Sequence, residues 1–418
     1  RAFRGFIFSV PQYEMEDPNW KVFVDGGDLE VTPEACRRQQ VLAEKGVVAT
    51  VAGILSHADD LVVLEAVRLL GAIFAGSAWD VGTASQVALV EFFQSTDSRR
   101  TFLSACVKLI HQSMQDLKDR KRLMKKLERQ KQEKLRTRSS MLFAPDQTVD
   151  TNEARVSLDQ RHSGRTLDLL KMLTNCLKGG PRQMQTVLFP TEGTEQHQFN
   201  VVSELVVYLI KTERQLGAVV SNAAMRNPYP LRIVAVSFEL LQALVRGPNA
   251  AAIQALMANT GIAELAARLL EHSVFDGYFD NAKLQMRRSI LYLILSVLQN
   301  APVSDGSAGR HWISAGCDKV IVDRWQEAHD ILLGGANSAE LAVEVLNEHV
   351  LLHYLVLASM ADADASGALW EEVRALELFP DCAARCGTVD VTRSGELYRL
   401  TFARPSICNE LGQQTGFA

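Results

Sequence analysis

Few residues in this chain have types and spacings that could support chemistry. His349 and His353 stand four residues apart, a spacing that places two imidazoles on one helix face and allows zinc chelation. All three residues between them are apolar, so the glutamate base of a zinc-protease helix is missing. We therefore favour two half-buried histidines on a packing helix over a metal site.

The remaining motifs are weaker. Cys382 and Cys386 have no second cysteine pair at a distance that suits a zinc cluster, so we interpret them as structural thiols. The glycine pairs at 179–180 and 334–335 lack the lysine and hydroxyl residue of a phosphate-binding loop. No Gly-x-Ser-x-Gly nucleophile motif occurs. The sequence predicts a protein that is not an enzyme and that has no catalytic residues and no cofactor.

Composition narrows the class of protein further. The 418 residues are 47% hydrophobic and 22% charged, with a net charge of −5, which does not favour nucleic acid as a partner. The seven cysteines are odd in number and scattered, as is typical of a reducing compartment. The longest apolar runs, 289–298 and 350–360, are shorter than the ~20 residues that a membrane span needs. We expect no membrane span in these residues.

Most of the chain that carries these side chains has the apolar periodicity of α-helices. Apolar residues recur at helical spacing, with short polar links between the runs, which predicts a mainly α fold, an armadillo-like α-solenoid of stacked helices. Near the end, residues 388–391 and 397–402 alternate in polarity around Arg393-Ser394-Gly395, which predicts a small β-hairpin. The predicted divisions are an irregular segment (1–35), a first helical block (36–138), a linker (139–164), a second helical block (165–361), and a linker with the hairpin (362–418).

A charged stretch closes the first helical block. Residues 117–138, LKDRKRLMKKLERQKQEKLRTR, predict a helix extension with few apolar anchors. One interpretation is a patch that binds a polyanion or lipid. The other is a solvated helix that leaves the stack, and we favour it because Glu128 and Glu133 dilute the positive charge at helical pair spacing.

Three stretches carry a family resemblance. Residues 39–93 contain QQVLAEKGVVATVAGIL, VVLEAVRLLGAIFAG and VALVEFF, and residues 167–271 contain LDLLKMLTNCLKGG, FNVVSELVVYL and SFELLQALVRGPN. The third stretch is VDVTRSGELYRLTFARPSICNEL at residues 389–411. In this order they resemble the inositol trisphosphate receptor and ryanodine receptor family. The second stretch is similar to the family's homology-associated domain, and the third is similar to its last cytosolic strands.

The resemblance implies a role in calcium release. It implies a cytosolic, signal-relaying solenoid of a ligand-gated calcium channel subunit on the endoplasmic reticulum membrane. The implied partners are the other subunits of a homotetramer and the channel's own membrane domain outside this chain. Pro405, Ser406, Ile407 and Cys408 resemble the inositol trisphosphate receptor branch more closely and occupy the implied coupling element next to the pore.

One departure from the family concerns calcium. The family's activating site uses two glutamates in this region, and the matching positions here are Lys178 and Ala243. Neither is a carboxylate, whereas calcium prefers several anionic oxygens. Glu239, one turn before Ala243, is a weak substitute, so we expect a weakened or lost site. A second hypothesis is an armadillo-type protein-interaction scaffold derived from this family without channel activity.

Overall fold

The computed structural model describes most of the chain in twelve stretches. These stretches are residues 33–75, 84–138, 151–179, 182–188, 200–220, 229–247, 249–259, 261–271, 280–303, 306–333, 343–364 and 366–404. Within them the chain forms seventeen α-helices and one two-stranded antiparallel sheet. The prediction of a mainly α fold with a C-terminal hairpin is confirmed, and the armadillo-like stacking of the whole chain stays a prediction.

The chain divides into two compact units, residues 1–234 and residues 235–418. The first unit contains eight complete helices: α1 (Pro33–Glu44), α2 (Val47–Ile54), α3 (Asp60–Phe74), α4 (Ala84–Phe92), α5 (Thr96–Arg138), α6 (Thr151–Cys176), α7 (Arg182–Leu188) and α8 (Val201–Val220). Helix α9 (Tyr229–Val245) includes the division between the units.

The second unit adds eight helices and the hairpin. The helices are α10 (Ala250–Asn259), α11 (Ile262–Glu271), α12 (Asp280–Asn300), α13 (Ser307–Ser314), α14 (Cys317–Leu333), α15 (Val343–Ala363), α16 (Ala368–Arg374) and α17 (Phe379–Ala384). The strands are β1 (Cys386–Arg393) and β2 (Glu396–Ala403). Among the residues described, no helix is both long enough and apolar enough to cross a bilayer.

The predicted linker at 139–164 is wrong in its second half. Helix α6 begins at Thr151, so residues 151–164 are helical. This stretch is polar but contains strong helix formers, and one internal glycine, Gly164, costs only about 1 kcal/mol against alanine. The division between the two compact units falls at 234/235. The helix predicted at 117–138 is confirmed, because α5 continues to Arg138.

Helices α3 and α6 form the centre of the first unit. Leu70 and Phe74 on α3 and Leu170 on α6 have no exposed surface. The two helices are also joined by an ion pair, in which Nε of Arg68 lies 2.7 Å from Oδ2 of Asp168. The carboxylate is almost fully buried, so the pair requires its hydrogen-bonded geometry to offset the cost of desolvation.

Two buried glutamines satisfy the carbonyls at the ends of these helices. The last carbonyls of a helix have no partner within it and need donors from elsewhere. Nε2 of Gln39 donates to the carbonyls of Ala72 and Ala75, both at 2.8 Å, at the end of α3. Nε2 of Gln86 donates in the same way to the carbonyls of Cys176 and Lys178, at 3.2 and 2.7 Å, at the end of α6.

We expect Gln39→Leu to lower the free energy of unfolding of the first unit by about 2 kcal/mol. The substitution removes the side-chain donor from both carbonyls. That of Ala72 keeps only a long bond of 3.4 Å from the N–H of Ala75, and an unmet buried group costs about 1–3 kcal/mol before local rearrangement. The measurement is urea unfolding followed by circular dichroism. The neighbouring Gln40→Leu is the control, because Gln40 is exposed and bonds only Glu44 one turn away. Equal effects of the two substitutions would contradict the capping role of Gln39.

In the second unit, most residues of α12 and α15 are buried. Nearly every described residue of α15 from His349 to Ala361 is buried. Trp312 of α13 and Trp325 of α14 have no exposed surface and complete this core. The hairpin packs beside these helices through β2.

Candidate coupling site at the C-terminal hairpin

The hairpin forms where the sequence predicts it. Ser394 and Gly395 make a two-residue turn, and both have positive φ (51° and 84°), the backbone that right-twisted hairpins prefer. The strands pair antiparallel, with Val389 opposite Leu400 and Asp390 opposite Arg399. At its base, the N–H of Arg404 donates to the carbonyl of Arg385 at 2.8 Å.

Strand β2 is attached to the helices along its outer edge. The backbone N–H of Val303, just after α12, donates to the carbonyl of Leu397 at 2.7 Å. Nε2 of Gln299 donates to the carbonyl of Thr401, and Oγ1 of Thr401 lies 2.6 Å from Oγ of Ser359 on α15. Two carbonyls of β2, those of Leu397 and Thr401, are thus paired with groups on or just after α12, as backbone acceptors turned away from water require.

Arg399 connects the hairpin to α15 through charge. Its Nε and NH2 bond the two carboxylate oxygens of Asp390 across the hairpin, at 2.8 and 3.1 Å. Its NH1 lies 3.5 Å from Oδ2 of Asp362, near the end of α15. These hydrogen bonds lower the pKa of Asp390 and raise that of Arg399, with the Asp390 bond as the main cause. Asp362 is held in place by Nε1 of Trp370, at 3.2 Å.

A small cavity lies beneath this attachment. Its volume is about 40 Å³, and its lining includes Leu298, Gly309, Ser359, Asp362, Arg399 and Thr401. Small-molecule sites usually occupy about 300 Å³ or more. The cavity therefore suits a few waters, and the contacts around it serve attachment of the hairpin.

The two cysteines near the hairpin are buried free thiols. Cys382 is in α17 and Cys386 begins β1. Burial raises the pKa of Cys382 to about 11 and that of Cys386 to about 12, so both remain protonated at neutral pH. In the parts of the chain that the structure covers, no group of three or more His, Cys, Asp or Glu side chains is placed to hold a metal ion.

His349 and His353 are fully buried instead of half-buried. Their ring centroids are 4.3 Å apart at an interplanar angle of 84°, and Nδ1 of His353 donates to the carbonyl of His349 at 2.7 Å. The other three ring nitrogens have no hydrogen-bond partner among the described residues. Burial lowers the pKa of His353 to about 3 and that of His349 well below its ordinary value.

The charges that face this histidine pair are mainly positive. Arg287, also buried, has its pKa lowered to about 10 by burial, and its NH1 lies 3.5 Å from Oε2 of Glu327. Arg324 bonds the same Glu327 oxygen at 2.8 Å. Arg287, Arg288 and Arg324 all oppose a positive charge on the histidines. A metal cation between the two rings would meet the same repulsion.

The calcium positions implied by the family resemblance fall in different compact units. Lys178 lies just beyond α6 in the first unit, and its carbonyl accepts from Gln86. Ala243 and Glu239 lie on α9 in the second unit. The carboxylate of Glu239 accepts from Oγ of Ser289 at 3.1 Å and from Nε2 of Gln285 at 3.5 Å. Glu239 therefore already serves helix packing, and the loss of the calcium site stays a prediction.

The last residues to place are the implied coupling residues and two charged residues that the sequence did not predict. The implied coupling residues Pro405, Ser406, Ile407 and Cys408 lie outside the described residues. The sequence did not predict the ion pair of Arg399 with Asp362 or the burial of Arg287. The burial of Arg287 could have been predicted, because this residue lies at helical spacing between Leu284 and Leu291 on the buried face of α12.

Comparisons with known proteins assign no family to this chain. No protein-family model matches the chain, and no curated protein matches it. The family resemblance and all that it implies therefore stay predictions.

Proposed function

We propose that this chain is a relay segment of a calcium-release channel subunit that is inositol trisphosphate receptor-like. In this proposal its helices pass a movement caused by ligand binding elsewhere in the subunit to a pore outside these residues. Its partners are the other subunits of a homotetramer and the channel's membrane domain. Its place is the cytosolic face of the endoplasmic reticulum membrane.

The observation that carries the proposal is the attachment of the hairpin to α12 and α15. A relay needs an output element that moves with the helices, and rigid-body motion passes only through contacts that hold their geometry. Val303 supplies a backbone bond, Thr401 a side-chain bond and Arg399 an ion pair to α15. These three contacts support a hairpin that follows the helices, next to the residues that resemble the family's coupling element.

The proposal predicts that the link from Arg399 to α15 matters for calcium release. We expect Asp362→Asn to lower ligand-evoked calcium release several-fold, because it removes the charge that joins α15 to the hairpin. Asp390→Asn is the matched control, since it removes the carboxylate that pairs with Arg399 within the hairpin and leaves the ion pair to α15 in place. The measurement is inositol trisphosphate-evoked release in cells that lack their own receptors and express the full-length coding sequence.

Two outcomes would count against the proposal. If the unaltered full-length protein releases no calcium, the channel assignment is wrong. If it releases calcium and the two substitutions have equal effects, the hairpin is not the output element. Immunoblotting and membrane fractionation ensure that the variants are compared at equal abundance.

The alternative is an interaction scaffold without channel activity. Lys178 and Ala243 at the family's calcium positions favour it, because a channel of this family would need those carboxylates for activation by calcium. Reading the transcript beyond Ala418 separates the two hypotheses. Several hydrophobic segments of about 20 residues would support the channel, and a continuation without any would support the scaffold.

A further inference from the structure

Helix α5 has two halves of different character. Its first half is anchored in the core of the first unit, where Phe102, Cys106 and Ile110 have almost no exposed surface. Residues 117–138 in its second half contain eleven Lys and Arg against three Asp and Glu. This concentration of positive charge occurs in a chain whose net charge is −5.

The exposed cations that the structure describes in this half lie along one side of the helix, which we name the basic strip. An α-helix has 3.6 residues per turn, so residues separated by three, four, seven or eight positions share a side. The basic strip consists of Lys118, Arg122, Lys125, Lys126 and Arg129, all exposed, and extends over about 17 Å at 1.5 Å per residue.

Among the side chains that the structure describes, few neutralise the basic strip. Asp119 is the one exposed acidic side chain described beside it, and its Oδ1 lies 3.3 Å from NH1 of Arg122. The remaining neighbours within the strip repel one another, because like charges at i,i+3 and i,i+4 destabilise a helix. An anionic surface would remove this repulsion on binding.

We propose that the basic strip docks the first unit on an anionic lipid bilayer. Clusters of four to eight Lys and Arg on a helix are attracted by the negative surface potential of such membranes. The strip lies on the exposed side of the helix and has no aromatic side chain, whereas single-stranded nucleic acid is held largely by aromatic stacking. Lysine, a flexible point charge, makes up three of the five cations and suits a diffuse layer of head groups.

The test is cosedimentation of the purified chain with vesicles. We expect binding to vesicles with about 30% phosphatidylserine at about 0.1 M salt, and loss of binding to pure phosphatidylcholine or at about 0.5 M salt. The triple variant Lys125→Gln, Lys126→Gln, Arg129→Gln should bind about a hundredfold more weakly, at about fivefold for each cation. Asp119→Lys, which changes the charge by two units, should bind about twenty-five-fold more tightly.

The control variant makes the same change of net charge elsewhere. Arg310, Lys319 and Arg374 are exposed cations in the second unit, and their joint replacement by Gln should change binding no more than about twofold. Equal weakening by the two triple variants would overturn the proposal, because net charge alone would then explain the binding. Binding to duplex DNA without binding to the anionic vesicles would overturn it too. Circular dichroism checks that each variant keeps its helix content.

Discussion

Acidification from pH 7 to about pH 4.5 is expected to destabilise the second compact unit by about 2.5 kcal/mol through His353 alone. The pKa of an unfolded histidine is 6.5, and burial lowers that of folded His353 to about 3. Between these values the unfolded state binds a proton that the folded state does not, so stability falls as the pH falls. One pKa unit corresponds to about 1.4 kcal/mol. His349 acts in the same direction.

The measurement is urea unfolding of the whole chain at the two pH values, followed by tryptophan fluorescence. Buried Trp312 and Trp325 make this signal sensitive to the second unit. The variant His353→Leu should lose much less stability on acidification, because it removes the titrating ring. His311→Gln is the control, since His311 is exposed and should leave the pH dependence unchanged. An equal acid loss in His353→Leu and the unaltered protein would rule out this origin.

Carboxylates also lower the free energy of unfolding on acidification, but in a lower pH range than the histidines do. The pKa of Asp364, at the turn before α16, is lowered from 3.8, mainly by its backbone bond to Leu369. Its contribution is present at neutral pH and is lost only as the pH falls below about 4. Destabilisation that sets in between pH 6.5 and pH 4.5 therefore belongs to the histidines.

Gly309→Ala is expected to destabilise the second unit by about 2 kcal/mol, although alanine is the better helix former. Gly309 lies inside α13, and a Cβ at this position would overlap the Cβ of Ala363 at the end of α15. The two helices would have to separate, and overpacking of this kind costs about 1–3 kcal/mol. The same fluorescence-monitored urea unfolding gives the change.

Two further variants separate the overlap from helix propensity. Adding Ala363→Gly to Gly309→Ala removes the overlapping methyl group and should restore most of the lost stability. Gly53→Ala tests propensity without a clash, because Gly53 is a helical residue with no atom within 4 Å of its new Cβ. It should stabilise the first unit by up to about 1 kcal/mol. A Gly309→Ala chain as stable as the unaltered one would contradict the packing argument.

Local patterns predicted the elements well and their partners poorly. The charged helix extension at 117–138 and both strands were predicted within a few residues, because periodicity and turn residues act over short distances. The stretch at 151–164 was misjudged because its polar composition resembles a linker, while its helical state follows from continuity with the packed part of α6. Helix formers are weak signals where apolar periodicity is missing.

The candidate site shows the same division. Alternating polarity around Ser394 and Gly395 was enough to predict the hairpin, since positive φ at both turn positions is a local property. The partner of Arg399 on α15 was not predictable, because two helices and strand β1 lie between Asp362 and Arg399 in the sequence. The spacing of His349 and His353 predicted that the two rings share a helix face. It could not predict that three of their four ring nitrogens are buried without partners among the described residues, because that depends on the packing of distant helices.

By itself, then, the sequence determined the helical class, the absence of an apolar run as long as a membrane span, the hairpin and the charged extension of α5. These features depend on composition and on spacings within one or two helical turns. Only the tertiary structure decided that Arg287 and the histidines are buried together, that Glu239 serves helix packing, and that β2 is attached to α12 and α15. Those outcomes depend on which distant helices pack together, because burial and ion pairing are properties of the assembled neighbours.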